Sequence, residues 1–318
     1  MYIKNQILKT LVLSSLFLLV NAESSEYETI IASRSDVSGV GVEEGIMRRE
    51  PSDIIKVGDL YYVWYSKGPQ TSLNNATIWY ATSKDGVNWT ESGMSIDKST
   101  AEGAWDDSSI FNPNILVADG RYWLFYSGIS KKSGPRSNDT KIGAVVSDSP
   151  EGPWERLPHN PLLSKGEKGS FDNYFVDDAC LVVLEGKYWL YYKGFPRGST
   201  ASVGIAIAEK PEGPYVKYEK NPIPLDNQGS IVAWREGKGV GTMMKLPNDT
   251  AFFMMYAEDG YTFKKTYEVD VSLYGAAFYR PEAFIDGVKG KAPIWGLKTA
   301  KQRGKLPAIN RFDIEWAK

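Results

Sequence analysis

The stretch "VLEGKYWLYYKG", Val183–Gly194, sets a Glu-Gly turn between an apolar strand end and an aromatic strand. A two-residue turn of that chemistry between β-formers reads as an antiparallel hairpin. The same frame occurs twice earlier, as "VGDLYYVWYSKG" (Val57–Gly68) and "VADGRYWLFYSG" (Val117–Gly128), at spacings of 60 and 66 residues. The echo continues downstream of each hairpin. "ATIWYATSKDGVNW" (Ala76–Trp89), "TKIGAVVSDSPEGPW" (Thr140–Trp154) and "ASVGIAIAEKPEGPY" (Ala201–Tyr215) each give an apolar strand, a polar turn with glycine, and an aromatic residue opening a fourth strand. Four antiparallel strands repeated at this period predict a β-propeller.

Two weaker units follow. One joins "IVAWREGKGVGTMMKL" to "AFFMMYAEDGYTFKK", in which "AEDGYTF" matches the earlier "SKDGVNW"; the other is "AAFYRPEAFIDGVKGKAPIWGLKTA". The expectation is an all-β, five-bladed β-propeller, four antiparallel strands per blade, as one domain over residues 23–318. The segment ahead of Arg48 is expected to supply a strand that closes the ring. Residues 1–22 read as a secretory signal peptide: Lys4 and Lys9 precede a short apolar run that ends at the small residue Ala22. That predicts a secreted or periplasmic protein with no membrane contact after cleavage.

Composition narrows the function. Lys and Arg number 37 against 39 Asp and Glu, with no basic block, so nothing suggests a nucleic-acid partner. The single cysteine, Cys180, lies in an apolar strand and reads as a small buried hydrophobe. The single histidine, His159, lies in a Pro-rich turn and reads as structural. Ten Trp, nineteen Tyr and twelve Phe suit strands, and their faces also suit sugar rings. A protein-binding scaffold of the WD or Kelch type would carry those repeat signatures, and neither is present.

In a propeller the first strand of each blade lines the central channel, so residues just ahead of it converge. The three clear units carry acids there: Glu50 and Asp53 in "RREPSDIIKV", Asp106 and Asp107 in "AWDDSSIFNPNILV", and Asp172, Asp177 and Asp178 in "SFDNYFVDDACLVV". Clustered carboxylates can hydrolyse a glycosidic bond, hold a divalent cation, or cap turns. Around them stand polar and aromatic groups suited to a sugar: Arg49, Trp105, Asn112, Tyr174, Lys193 and Arg280.

"EPSDIIKVGDLYYVWYSKG", with the second and third units over about residues 46–215, resembles the five-bladed glycoside hydrolases of families 43 and 117. The resemblance implies an oligosaccharide partner, no required cofactor, and in some relatives a divalent cation in the central channel. Family 117 removes terminal 3,6-anhydro-galactose from red-algal oligosaccharides by inversion. The family's "RDP" is "REP" here, which makes Glu50 the general base. Asp177 or Asp178 matches the acid that orients groups and tunes the proton donor. For the donor, Glu282 in "YRPEAF" is the candidate, ahead of Asp107. Asp53, Asp107 and the polar groups above are expected to bind substrate. The alternative is a carbohydrate-binding propeller that has lost its general acid.

Overall fold

The computed structural model describes residues 28–69, 75–133, 139–224, 232–244, 251–270, 275–280 and 292–316. The expected signal peptide, residues 1–22, lies outside them. The chain runs β1 (Thr29–Ser35), β2 (Met47–Arg49), β3 (Ile55–Val57), β4 (Leu60–Gly68), β5 (Thr77–Ser83), β6 (Trp89–Ile96) and β7 (Ser109–Ala118). Then come β8 (Arg121–Ile129), β9 (Lys141–Ser147), β10 (Glu155–Arg156), β11 (Phe175–Leu184), β12 (Lys187–Phe195), β13 (Ser202–Ala208) and β14 (Val216–Lys217). The last are β15 (Val232–Glu236), β16 (Gly239–Met244), β17 (Phe252–Ala257), β18 (Lys264–Val269), β19 (Ala276–Phe278), β20 (Trp295–Ala300) and β21 (Ala308–Glu315). Among the described residues there is no α-helix, so none is long and apolar enough to cross a membrane.

The fold is all-β and of the propeller type. β2 and β3 both pair with β4, followed by β5 and β6; β7–β10 form a second sheet and β11–β14 a third. The remaining eight strands form one sheet in the order β15-β16-β17-β18-β1-β21-β20-β19. Within it β1 pairs in parallel with β18 through Thr29 and Ile30, and antiparallel with β21 from Ile31 to Ser35. The N-terminal strand thus joins the two halves of this sheet, β15–β18 and β19–β21.

Local chemistry explains the hairpins. Asp119-Gly120 and Glu185-Gly186 each hold positive φ at both residues (53° and 72°, 54° and 72°), the geometry that matches the twist of flanking strands. β7 is buried along eight successive residues, as a strand covered on both faces must be. β6 instead alternates and lies at a sheet margin. Aromatic strands β4, β8 and β12 put Trp64, Phe125, Tyr126, Tyr191 and Tyr192 fully into the core between sheets.

A repeated device ties strands together in the second and third sheets. Asp106 accepts from Tyr126 Oη at 2.8 Å and Arg156 Nε at 3.0 Å. In the next sheet Asp172 accepts from Tyr192 Oη at 2.9 Å and Lys217 Nζ at 2.6 Å. Trp105 stacks on Tyr126 and Phe171 packs on Tyr192, with centroids 5.4 and 5.8 Å apart. Glycines make room for both rings: a Cβ on Gly143 would stand 2.5 Å from Trp105, and one on Gly204 would stand 2.4 Å from Phe171.

Candidate active site

Three first-strand residues share a backbone signature. Glu50, Asn112 and Asp178 have φ of 53°, 51° and 53°, and the residues after them are Pro51, Pro113 and Ala179. In β7 the pairing with β8 slips between Phe111 and Asn114; in β11 the pairing with β12 slips between Asp177 and Cys180. Ahead of β3, the β2–β4 ladder stops at Arg49 and resumes at Ile55. A bulge re-aims the side chain it carries. A left-handed backbone at a non-glycine residue costs about 1–2 kcal/mol, so its recurrence at matched positions marks a shaped site.

The bulges bring Glu50, Asn112, Asp177 and Asp178 together. Asn112 Nδ2 donates to Asp177 Oδ1 at 3.0 Å and also to Asp178 Oδ1. The Asp178 backbone N–H donates to Asp177 Oδ1 at 2.8 Å, and Lys193 Nζ lies 2.5 Å from Asp178 Oδ2. Arg49 pairs with Glu50 Oε1, and the Glu50 backbone N–H donates to Thr299 Oγ1 at 2.8 Å. Among the described residues, Glu50 Oε2, Asn112 Oδ1 and Arg49 Nε are buried without a hydrogen-bond partner.

Electrostatics follow from that crowding. Burial pushes the Glu50 carboxyl up to about 8; Arg49 pulls it down, while the charges of Asp178 and Asp177 push it further up. Burial, then Asp178, raises Asp177 to about 6 against the pull of Lys193. Carboxylates that repel one another in a partly desolvated mouth hold their protons at higher pH. Such a group is a stronger base once it ionises.

The other acids and binding candidates have different surroundings. Asp53 and Arg280, read from sequence as sugar contacts, are 1% and 3% exposed and pair with each other. Arg280 Nη2 also donates to the Leu181 carbonyl at 2.9 Å, and Asp53 accepts from Asn114 Nδ2 at 3.1 Å. This buried pair, with Asn114 on β7 and Leu181 on β11, links all four sheets, so it holds the channel together and is out of reach of substrate. Burial pushes the Asp53 carboxyl up and Arg280 opposes it.

Asp107 accepts from the Lys131 backbone N–H at 2.7 Å, which holds its carboxyl below the usual range. It is a turn cap, which corrects its assignment as a substrate contact. Trp105, partly exposed, stacks on Tyr126 and lies over Gly128 and Gly143, which ties it to the Asp106 device and not to the carboxylate cluster. Tyr174 packs its ring on Phe175 at 5.6 Å, stays partly exposed, and remains beside β11. Lys193 and Arg49 lie in the cluster itself. Glu282 lies outside the described residues. His159 is exposed and contacts the Glu212 carbonyl at 2.7 Å, in a turn as expected.

Residues 46–272 match the family described as "Glycosyl hydrolases family 43". The chain belongs to that family. Among solved structures it is similar to a family 117 glycoside hydrolase from the marine bacterium Zobellia galactanivorans, 29% identical over 90% of each chain with a TM-score of 0.82. Among curated proteins it is similar to an extracellular endo-α-(1→5)-L-arabinanase of Thermotoga petrophila, 32% identical over 66% of this chain and 45% of that protein. A xylan 1,3-β-xylosidase of a Vibrio species is 28% identical over 66% of this chain and 36% of its own length. The chain spans less than half the length of each of these two curated relatives.

Two partners of this cluster were not legible in the sequence. Thr299, 249 residues from Glu50, fixes its backbone. Ser66 Oγ accepts from the Asn112 backbone N–H at 3.0 Å across two sheets. Strand pairing sets Ser66 opposite Arg49 as Ser127 lies opposite Phe111 and Lys193 opposite Asp177, but the repeat frame read from sequence aligns Ser66 with Tyr126 and Tyr192, one position off, and so hid it. Among the described residues no three His, Cys, Asp or Glu side chains are grouped to hold a metal ion.

Proposed function

We propose that the protein is a secreted, exo-acting, inverting glycoside hydrolase that removes a terminal sugar from a plant or algal oligosaccharide. The likeness to a family 117 enzyme favours 3,6-anhydro-galactose of red-algal galactans as that sugar. The observation that carries the reading is the meeting of three carboxylates, Glu50, Asp177 and Asp178, where matched backbone kinks at Glu50, Asn112 and Asp178 converge. In this reading Glu50 is the base that activates water, and its raised proton affinity strengthens it for that task. Asp177 and Asp178 orient the reacting groups. Glu282 is the proton donor, from the segment after Arg280. No cofactor takes part. A cation in the channel itself fits less well, because the Arg280 guanidinium already sits against Asp53.

The same proposal counts five blades. The eight-stranded sheet then divides into β15–β18 and the quartet β19, β20, β21 and β1, joined by the short parallel contact of β1 with β18. Residues 1–22 are the export signal.

One observation favours a second reading, a sugar-binding propeller without turnover. Among the described residues, the acids that act most strongly on Glu50 are Asp177 and Asp178, both on the same side strand. Inversion needs a carboxyl about 6.5–9.5 Å away across the sugar. The test is incubation of the mature protein with neoagaro- and neocarra-oligosaccharides, arabino- and xylo-oligosaccharides, and nitrophenyl glycosides. Release of single terminal sugars supports the enzyme. Internal cleavage products contradict the exo mode, and calorimetric binding without any product supports the second reading.

A further inference from the structure

Asn112 occupies the same kinked position as Glu50 and Asp178, yet it is neither acid nor base. Its left-handed backbone alone needs no explanation beyond residue type, since asparagine tolerates that conformation. Its side chain does need one. The amide nitrogen serves both aspartates, which fixes the plane of the carboxamide. That plane turns the carbonyl oxygen away from the carboxylates. The side chain belongs to a residue 7% exposed, and among the described residues this oxygen has no donor. Leaving a buried carbonyl unpaired costs about 1–3 kcal/mol, a cost that a hydroxyl donor would remove.

Two more unpaired atoms belong to the same cluster: Glu50 Oε2 and Arg49 Nε. The outer oxygens of the acids already have cations, Arg49 on Glu50 and Lys193 on Asp178. The unmet needs are therefore hydrogen bonds and not charges. Two acceptor oxygens and one N–H donor left in one cluster suit the hydroxyls of a neutral sugar better than an ion.

We propose that Asn112 positions the two aspartates through its amide nitrogen and selects the terminal sugar by accepting a hydroxyl at its carbonyl oxygen, beside Glu50. This rests on the glycosidase reading of the site and adds to it which residue reads the substrate. The charged groups that face Asp177 are Asp178 on its own strand, Lys193 on β12, and Glu50 with Arg49 at the end of β2.

Asn112→Gly is the informative variant, because glycine accepts the left-handed backbone while removing the carboxamide. Asn112→Asp keeps the shape and an acceptor but loses the N–H donors. The first readout is a carbon-13 carboxyl NMR titration of Asp177, which needs no substrate. The second is calorimetric affinity for arabinose, xylose, galactose and 3,6-anhydro-galactose, with the deoxy analogue of whichever binds. The third is the split between kcat and KM on any oligosaccharide that is cleaved.

Asn112→Gly should move the Asp177 titration upward by about half a unit or more, as a donor to the charged form is lost. It should weaken the bound sugar about tenfold and erase the preference over the deoxy analogue. Asn112→Asp should raise the Asp177 titration further, because a third carboxylate replaces the donor, while its retained acceptor should keep part of the preference over the deoxy analogue. An Asp177 titration unmoved in a normally folded Asn112→Gly protein overturns the positioning role. An unchanged preference for the hydroxylated sugar overturns the selecting role. If the wild-type protein neither binds nor cleaves any sugar tested, the glycosidase reading and the selecting role both fall, while the titration still decides positioning.

Discussion

Asp172 and Asp178 lie six residues apart in one sheet, and they live in opposite electrostatic worlds. Asp172 is 1% exposed and its Oδ2 takes a tyrosine hydroxyl and a lysine ammonium, each within 3 Å. Asp106 repeats the arrangement one sheet earlier with Tyr126 and Arg156. Asp178 instead shares one amide donor with Asp177, and both raise the proton affinity of Glu50. Acids whose lone pairs are fully met hold strands together. Acids that crowd one another and leave buried oxygens unmet are set up for a ligand. The difference is one of neighbours, since the residue type is the same.

The largest effect on the structural side should come from the channel pair. Arg280→Met strands the buried Asp53 carboxylate and should cost about 3–5 kcal/mol in urea unfolding. A loss below about 1 kcal/mol would mean that the pair does not hold the inner strands. Next is packing: Gly204→Ala drives a methyl into Phe171 and should cost about 1–3 kcal/mol, with binding at the mouth unchanged.

The mouth acids should leave a signature in pH dependence. Glu50 binds its proton more tightly folded than unfolded, so the stability it contributes is complete below its unfolded value of about 4.5 and is lost as pH rises toward 8. Glu50→Gln should flatten that fall. As a base Glu50 must be ionised, so kcat/KM should climb with pH up to about 8. A profile that drops across this range would give Glu50 the donor role instead. The smallest effect is expected at Thr299→Val, which removes the acceptor of the Glu50 N–H and should cost about 1 kcal/mol.

Much of the fold was legible because the repeat is written in turns. Asp119-Gly120 and Glu185-Gly186 announce hairpins, and the aromatic strands that follow are the ones that fill the core. The fourth unit was faint because its strands carry Met and Gly in place of the Trp-Tyr pattern, as in "GVGTMM" and "AFFMMYA". At the site, Glu50, Asn112, Asp177 and Asp178 were legible from matched positions ahead of the first strands. Trp105, Asp107, Asp53 and Arg280 share those positions nearly as well, and a sequence does not show which side of the backbone kink each faces. A slip of one residue exchanges mouth for core. Thr299 was hidden because its only link to Glu50 is through space.

The most direct measurement of the contrast is a paired one, terminal-sugar release and urea midpoint for Glu50→Gln and Asp172→Asn, each against wild type. The account predicts that Glu50→Gln loses about 10²- to 10⁴-fold in turnover while keeping its midpoint. It predicts that Asp172→Asn loses about 1–3 kcal/mol while the residual folded protein turns over normally. Turnover retained in Glu50→Gln, or lost in folded Asp172→Asn with stability intact, would contradict it.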